Sequence, residues 1–173
     1  MQYAIRIKID SLKNSSWYFY PFHNCIKVFF RMTELDQKIS AAYQSEGKQE
    51  DVNQVYLTLL GTVLFVPVQK EKAVLDDEPF RPLFANIDGN YFLIAFDTAD
   101  RLKGWAQQDV NNIAYVELSG RDMLAGMNDN VYLALNVGTE FYKEFSPDEV
   151  KQIKKIISKI DQFKLKAQKE EDI

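Results

Sequence analysis

The chain has 173 residues, a formal net charge of −4 and 46% apolar residues. This length and apolar content are typical of one globular domain with tails. Affinity for phosphate backbones comes from clustered lysine and arginine, so the acidic balance argues against a nucleic-acid partner. We therefore expect a chain that does not bind nucleic acid.

Cysteine usage and hydropathy indicate the setting of the protein. Cys25 is the only cysteine, which excludes an internal disulfide and favours a reducing compartment. The longest apolar segments, 62–68 and 131–135, are far shorter than the ~18 to 20 residues that a membrane-spanning helix requires. The N-terminus also lacks the pattern of a secretory signal. We predict a cytoplasmic protein that does not associate with a membrane.

Residues 1–31 differ in composition from the rest of the chain. They hold eight of the 23 aromatic residues, five basic residues and one acid, so they carry a charge of +4 against −8 for the remainder. Two interpretations are open. Alternation of apolar residues predicts a strand over 3–9, whereas a translation start at Met32 would remove the segment. We divide the chain into an atypical N-terminal extension (1–31), a domain (32–163) and a charged C-terminal tail (164–173).

Helical periodicity predicts two helices after this break. The first begins with Thr33 as its cap and places Leu35 and Ile39 on one face. The second has an apolar stripe over 52–60, and we expect Gly61 to end it in the left-handed conformation. A nearly continuous apolar run over 62–68 then predicts a buried strand, followed by a charged loop over 69–79.

The middle of the chain carries a hairpin signal. Segments 82–87 and 91–96 flank Asp88-Gly89, in which glycine supplies the positive φ of a tight turn. Asp97 is the predicted cap of the next helix. Further strands are expected over 113–118 and 131–135.

Two helix starts follow the same rule in the second half of the chain. Ser119 is expected to cap a short helix, and Ser146-Pro147-Asp148-Glu149 combines a cap, a proline at the first position and a glutamate that reaches back. The last helix is predicted to run to about Phe163 and then to fray. The element order indicates an α+β fold with a single mixed, mainly antiparallel sheet and helices packed on it.

The sequence offers little for catalysis. His23 and Cys25 lie two residues apart without an evident third partner, and no spacing fits a metal site. Glu117 and Glu140 are the acids that no helix cap explains, and the turn that contains Ser119 could instead bind one anion. We expect no catalytic residue, no cofactor and no metal.

Polar residues recur at the predicted strand ends and junctions. Alternation places Tyr142 away from the core, which makes Tyr142 and Lys143 the best candidates for exposed recognition. We predict an interaction surface that consists of Arg101, Glu117, Ser119, Arg121, Asp122, Glu140, Tyr142 and Lys143. The alternative is that these residues bond to each other, for instance Arg121 to Glu140, and tie two junctions together.

Four motifs follow one another between about residues 50 and 160. They are Pro82-Leu-Phe with Asp88-Gly89, 91–96 leading to Arg101-Leu102, Glu117-Leu-Ser-Gly-Arg-Asp122, and Leu135-Asn-Val-Gly-Thr-Glu-Phe141 followed by 144–149. Together they resemble the N-terminal domain of the SseB, or enhanced serine sensitivity, family of bacterial proteins. The resemblance implies a compact α+β domain of bacterial, cytoplasmic character, and it implies no reaction.

The sequence therefore leaves three functions open. The first is a non-catalytic protein-interaction or regulatory module that binds a protein partner through the predicted surface. The second is a small-molecule, amino-acid-related binding protein or weak hydrolase that uses Glu117 or Glu140 in a cleft near Ser119. The third is a secretion-associated accessory protein, a function that no feature of the sequence supports. A homodimer through a short strand over 141–145 is a further prediction.

Overall fold

The computed structural model describes residues 31–69, 81–107, 111 and 113–171. The N-terminal extension with its predicted strand, His23 and Cys25, together with almost all of the predicted loop over 69–79, lies outside these residues. In the described part, the elements are α1 (Glu34–Gln44), α2 (Gln49–Gly61), β1 (Val63–Gln69), β2 (Phe84–Ile87), β3 (Asn90–Ala95), α3 (Ala99–Ala106), β4 (Ile113–Ser119), α4 (Gly120–Gly126), β5 (Tyr132–Leu135), β6 (Lys143–Phe145) and α5 (Pro147–Glu171).

The strands form two hydrogen-bonded sheets, of two and four strands, which we call ladders; isolated bridges join them. β1 pairs with β4 in antiparallel register, and the other ladder has the order β2-β3-β5-β6 with β3 and β5 parallel. Isolated bridges join Phe65 to Phe96 and Val68 to Pro82, so β1 meets the larger ladder beside β3 and β2. The predicted α+β fold is confirmed, but the prediction of a single mixed sheet is wrong, because the described strands form two sheets, one of two and one of four strands.

Side chains alternate between two apolar clusters on opposite faces of the strands. Along β3, Leu93 and Ala95 enter the larger cluster, whereas Phe92 and Ile94 enter the smaller one. The larger cluster is covered by buried residues of α1, α2, α4 and α5. The smaller cluster is covered by Leu102 and Trp105 of α3. One face of the strands therefore carries four helices and the other a single helix of eight residues.

Local chemistry explains most helix starts. Thr33 accepts from the backbone N–H of Asp36 while the Asp36 carboxylate accepts from the N–H of Thr33, which is the reciprocal pair expected of a capping box. Ser146 and Glu149 form the same pair at α5, as predicted. At α3 the prediction is wrong. Thr98, not Asp97, caps this helix, because the Asp97 carboxylate is bound by the Arg101 guanidinium.

Two predictions about helix ends also need correction. Gly61 is the last residue of α2, and the chain leaves the helix through Thr62 in an extended conformation (φ −77°, ψ 135°) rather than through a left-handed glycine. The last helix extends beyond its predicted end near Phe163, since α5 continues to Glu171. By contrast, the predicted hairpin turn is confirmed, with positive φ at Asp88 (51°) and Gly89 (85°).

No helix in the residues covered by the structure is both long enough and apolar enough to cross a membrane.

Candidate functional site

The eight residues of the predicted interaction surface lie in three different environments. Arg101 is buried beneath the surface, a second group lies at the junction of β4 and α4, and a third lies in the segment that leads into β6. The prediction that Arg101 lies on an exposed interaction face is wrong. Its side chain has 0% exposure.

Arg101 forms a buried charged group with two aspartates, Asp97 four residues before it and Asp36 65 residues before it. Its guanidinium donates to both carboxylate oxygens of Asp36, at 3.0 and 2.6 Å, and to Asp97 at 2.6 and 2.9 Å. Burial opposes the charge of the guanidinium, but the hydrogen bonds and charges of Asp36 and Asp97 outweigh it and raise the pKa of Arg101. Thr33 also donates its hydroxyl to Asp97 at 2.7 Å. This group ties the start of α1 to the start of α3.

Residues at the junction of β4 and α4 have structural partners. Ser119 caps α4 by accepting from the N–H of Asp122 at 3.0 Å and donates its hydroxyl to the Asp122 carboxylate at 2.7 Å. Arg121 is bound to Asp161 of α5, so the predicted network between Arg121 and Glu140 is not formed. Glu117 is exposed on β4.

Gly120, the first residue of α4, packs closely against the end of α2. A Cβ atom at this position would lie 1.9 Å from the backbone oxygen of Leu59. The backbones of α4 and α2 therefore approach at a distance that only glycine allows.

Tyr142 is less exposed than the alternation of the sequence suggests. Its ring packs against the smaller apolar cluster, and its hydroxyl donates to Glu144 at 3.1 Å. Burial, followed by the negative charge of Glu144, raises the pKa of Tyr142. Tyr142 is therefore half-buried rather than exposed, as Lys143 also is, whereas Glu140 is exposed.

Lys143 lies at the end of a cleft that the sequence analysis did not identify. Its ammonium group donates to Glu149 at 3.0 Å and to the backbone oxygen of Glu144, and it lies 4.6 Å from the centre of the Phe145 ring. These contacts hold the charge in one position. Lys143 is the predicted surface residue that contributes to this cleft.

The cleft, which we name the α1–α2 cleft, has a volume of about 310 Å³. Its walls come mainly from the facing sides of α1 and α2, and its end comes from β6 and the first turn of α5. The lining residues are Ile39, Ala42, Tyr43, Glu46, Gly47, Val52, Val55, Tyr56, Lys143 and Glu149. Four aliphatic side chains and two tyrosines thus surround one charged pair, a composition typical of binding sites in proteins.

The two tyrosines of the cleft differ in burial. Tyr43 is 66% exposed and stands at the rim, whereas Tyr56 is 4% exposed. Burial and then the charge of Glu149 raise the pKa of Tyr56 to about 12. The same two causes, in the same order, raise the pKa of Tyr43. Both hydroxyls are therefore neutral hydrogen-bonding groups at physiological pH.

A second cavity of about 340 Å³ lies on the other side of α2. Its lining is mixed, with Leu35 and Leu57 beside polar residues that include Thr33, Thr58, Thr62 and Asp97. Asp97 is already bound by Arg101 and Thr33, so its charge is compensated within the protein. Neither of these two cavities is lined by Glu117, Ser119 or Glu140.

The α1–α2 cleft was missed because its walls look like core in the sequence. Val55 and Tyr56 lie on the apolar stripe of α2, as Ile39 does on α1. The available signal was the exposed aromatic residue at the end of the α1 stripe, Tyr43. Helical periodicity alone assigns such a residue to the interior.

Within the part of the chain that the structure describes, no cluster of three or more histidine, cysteine, aspartate or glutamate residues could hold a metal ion.

Comparison with known proteins gives one result. Residues 35–152 match the family model described as the SseB protein N-terminal domain. Searches of curated proteins and of solved structures found no match. The matched segment runs from α1 to the first turn of α5 and includes both walls and the charged end of the α1–α2 cleft. The chain therefore belongs to the SseB family, and the part that matches is the family's N-terminal domain.

Proposed function

We propose that this chain is a non-catalytic protein-interaction module of the bacterial cytoplasm, and that the α1–α2 cleft receives an apolar side chain of a protein partner. The observation that carries the proposal is the combination of an apolar cleft with an exposed tyrosine at its rim. Tyrosines at the edge of a desolvated pocket are typical of the residues that dominate binding energy at interfaces.

The polar groups of the cleft support binding rather than a reaction. Glu149 accepts from the N–H of Ser146 at 2.9 Å and from Lys143 at 3.0 Å. A general base needs a carboxylate free to take a proton from substrate, and both oxygens of Glu149 are engaged in helix capping and in the ion pair. The tyrosine hydroxyls stay protonated until strongly alkaline pH.

Charge at the rim indicates the chemistry of the partner segment. Glu46 and Glu149 carry two negative charges beside Lys143, so the lining has an excess of one negative charge. A complementary segment would place an apolar side chain in the cleft and a lysine or arginine next to Glu46. Electrostatic complementarity of this kind favours the correct partner and speeds association.

The proposal can be tested by filling the α1–α2 cleft with a larger side chain. Ala42→Phe places a ring in the cleft, whereas Ala41→Phe adds the same ring to an exposed position one residue earlier in α1. A photo-crosslinking amino acid at position 44, which is exposed beside Tyr43 and does not line the cleft, identifies proteins that bind near the rim in bacterial cells. We expect cross-linking to survive A41F and to disappear in A42F. Equal cross-linking in both folded variants, or none with the unsubstituted cleft, would contradict the proposal.

A second candidate function is the binding of a small amino-acid-related molecule. The observation that favours it is the Lys143–Glu149 pair at the end of an apolar cleft, because a zwitterion needs one group of each charge. A rise of the melting temperature with free amino acids, lost in Lys143→Met and kept in Lys151→Met, would replace the protein partner by this class of ligand. Lys151 is a suitable control because it is paired with Asp148 on the exposed side of α5.

A further inference from the structure

Among the strands that the structure describes, the edges without a pairing partner differ in how they are protected against pairing with another strand. β2 has four residues and follows Pro82, and β6 has three residues, two of which are Lys143 and Glu144. Short strands, prolines and charged residues are the usual means of blocking an edge. β4 has seven residues, contains no proline or glycine, and has Glu117 as its single charged residue.

β4 is also regular, and two of its side chains, Tyr115 and Glu117, are exposed. It pairs with β1 in unbroken register from Ser119 opposite Val63 to Ile113 opposite Gln69, without a bulge. Among the described residues, β1 is the only strand that pairs with β4. Although five of its seven residues are apolar, none of its side chains is buried. An apolar strand with one free edge is a surface on which a further strand can add.

The sequence of β4 is complementary to itself in antiparallel pairing. A two-fold axis at Val116 pairs all seven residues with their copies and places Tyr115 opposite Glu117 of the second copy, twice. Pairing about Glu117 would instead set two carboxylates against each other, which is unfavourable. The axis at Val116 therefore gives the longest overlap with no pair of like charges.

The two faces of β4 also remain matched in this arrangement. Val116 and Leu118 lie on the side of the larger apolar cluster, and they would meet Val116 and Ala114 of the second copy. On the other side, Tyr115 is 40% exposed and is held by an edge-on contact with Phe65, with ring centres 5.4 Å apart. Its hydroxyl would be free to donate to the carboxylate of Glu117 in the second copy.

We propose that the free edge of β4 is a homodimer interface, in which two copies of the chain pair antiparallel about Val116 and join their β1–β4 ladders into one four-stranded sheet. This assigns the dimer to β4 rather than to the predicted strand over 141–145. It is independent of the α1–α2 cleft, whose lining contains no residue of β4.

The mass of the full chain in solution tests the proposal. Light scattering on a dilution series should give twice the chain mass of 20.1 kDa at high concentration and a fall toward the monomer on dilution. Tyr115→Glu sets carboxylates opposite Glu117 at two places and should weaken the dimer by about tenfold. The double variant Y115E/E117K turns each of these pairs into one of opposite charge and should restore the dimer.

Tyr91→Glu is the matched control, because Tyr91 is 44% exposed on β3 of the other ladder; its dimer should match that of the unsubstituted chain. Hydrogen exchange keeps the test independent of any variant, since amides of 113–119 should exchange more slowly at high concentration. A monomer at every concentration would overturn the proposal. So would a dimer that Y115E and Y91E weaken equally, or exchange over 113–119 that is independent of concentration.

Discussion

Arg101 and Asp36 are separated by 65 residues in the chain, yet their side chains meet at 2.6 Å with no exposure to solvent. Asp36 also accepts from the N–H of Thr33, so one carboxylate both caps α1 and binds the guanidinium of α3. A motif that the family resemblance includes, Arg101-Leu102, thus has a structural role in holding two helix starts together.

Removal of the guanidinium should strongly destabilise the fold. Arg101→Ala leaves Asp36 and Asp97 buried without a counter-charge, which typically costs about 3 to 5 kcal/mol. Urea unfolding of this variant and of Lys103→Ala, an exposed change in the same helix, measures the difference. Arg101→Lys should fall between the two, since an ammonium cannot make the paired hydrogen bonds of a guanidinium. A loss of stability no larger than that of K103A would show that the buried group contributes little.

A methyl group at Gly120 should push α4 away from α2. The added Cβ would lie 1.9 Å from the backbone oxygen of Leu59, so Gly120→Ala should lower the free energy of unfolding by about 1 to 3 kcal/mol, as overpacking does. Gly126→Ala is the control, because nothing lies within 4 Å of its added Cβ at the end of the same helix. We expect G126A to stabilise slightly, through lower backbone entropy in the unfolded chain. Equal melting temperatures for G120A and G126A would contradict this account.

Alkaline pH should destabilise the protein partly through Tyr56. Its pKa is about 12 in the folded protein and 10.0 in an ordinary environment, so the folded state holds this proton more tightly. The resulting stabilisation is complete below pH 10 and is lost as pH rises toward 12, by up to roughly 2 kcal/mol. Urea unfolding should therefore show a smaller alkaline loss for Tyr56→Phe than for the unsubstituted chain.

Tyr43→Phe is the control for this titration. It removes a hydroxyl from the same cleft, but at the exposed rim, where solvent screens charges. Its unfolding free energy should follow that of the unsubstituted chain more closely than Y56F does. Identical alkaline losses in all three proteins would show that Tyr56 has no part in the pH dependence.

The start of α5 depends on its cap. Ser146→Ala removes the acceptor of the Glu149 N–H, at 3.3 Å, and should cost about 1 kcal/mol. Ser158→Ala, at an exposed position inside the same helix, should be neutral or slightly stabilising because alanine favours helix. Denaturant midpoints of the two variants test the difference, and equal midpoints would rule out a contribution from the cap.

Local rules account for what the sequence could predict. Capping at Thr33, Ser119 and Ser146 depends on residues three positions apart, and the hairpin turn at Asp88-Gly89 depends on adjacent ones. At α3 the expected cap has other partners, since the Asp97 carboxylate is bound by Arg101, four residues away, and by the hydroxyl of Thr33, 64 residues away.

The sequence by itself therefore determined the elements, the α+β class and the family, because periodicity, caps and turns are properties of neighbouring residues. Only the tertiary structure decided which polar residues are available. It buried Arg101 against Asp36, bound Arg121 to Asp161, and brought Tyr43, Tyr56 and Lys143 from three elements to one cleft. Contacts between residues so far apart in the chain leave no local pattern, since they depend on how whole helices and strands pack.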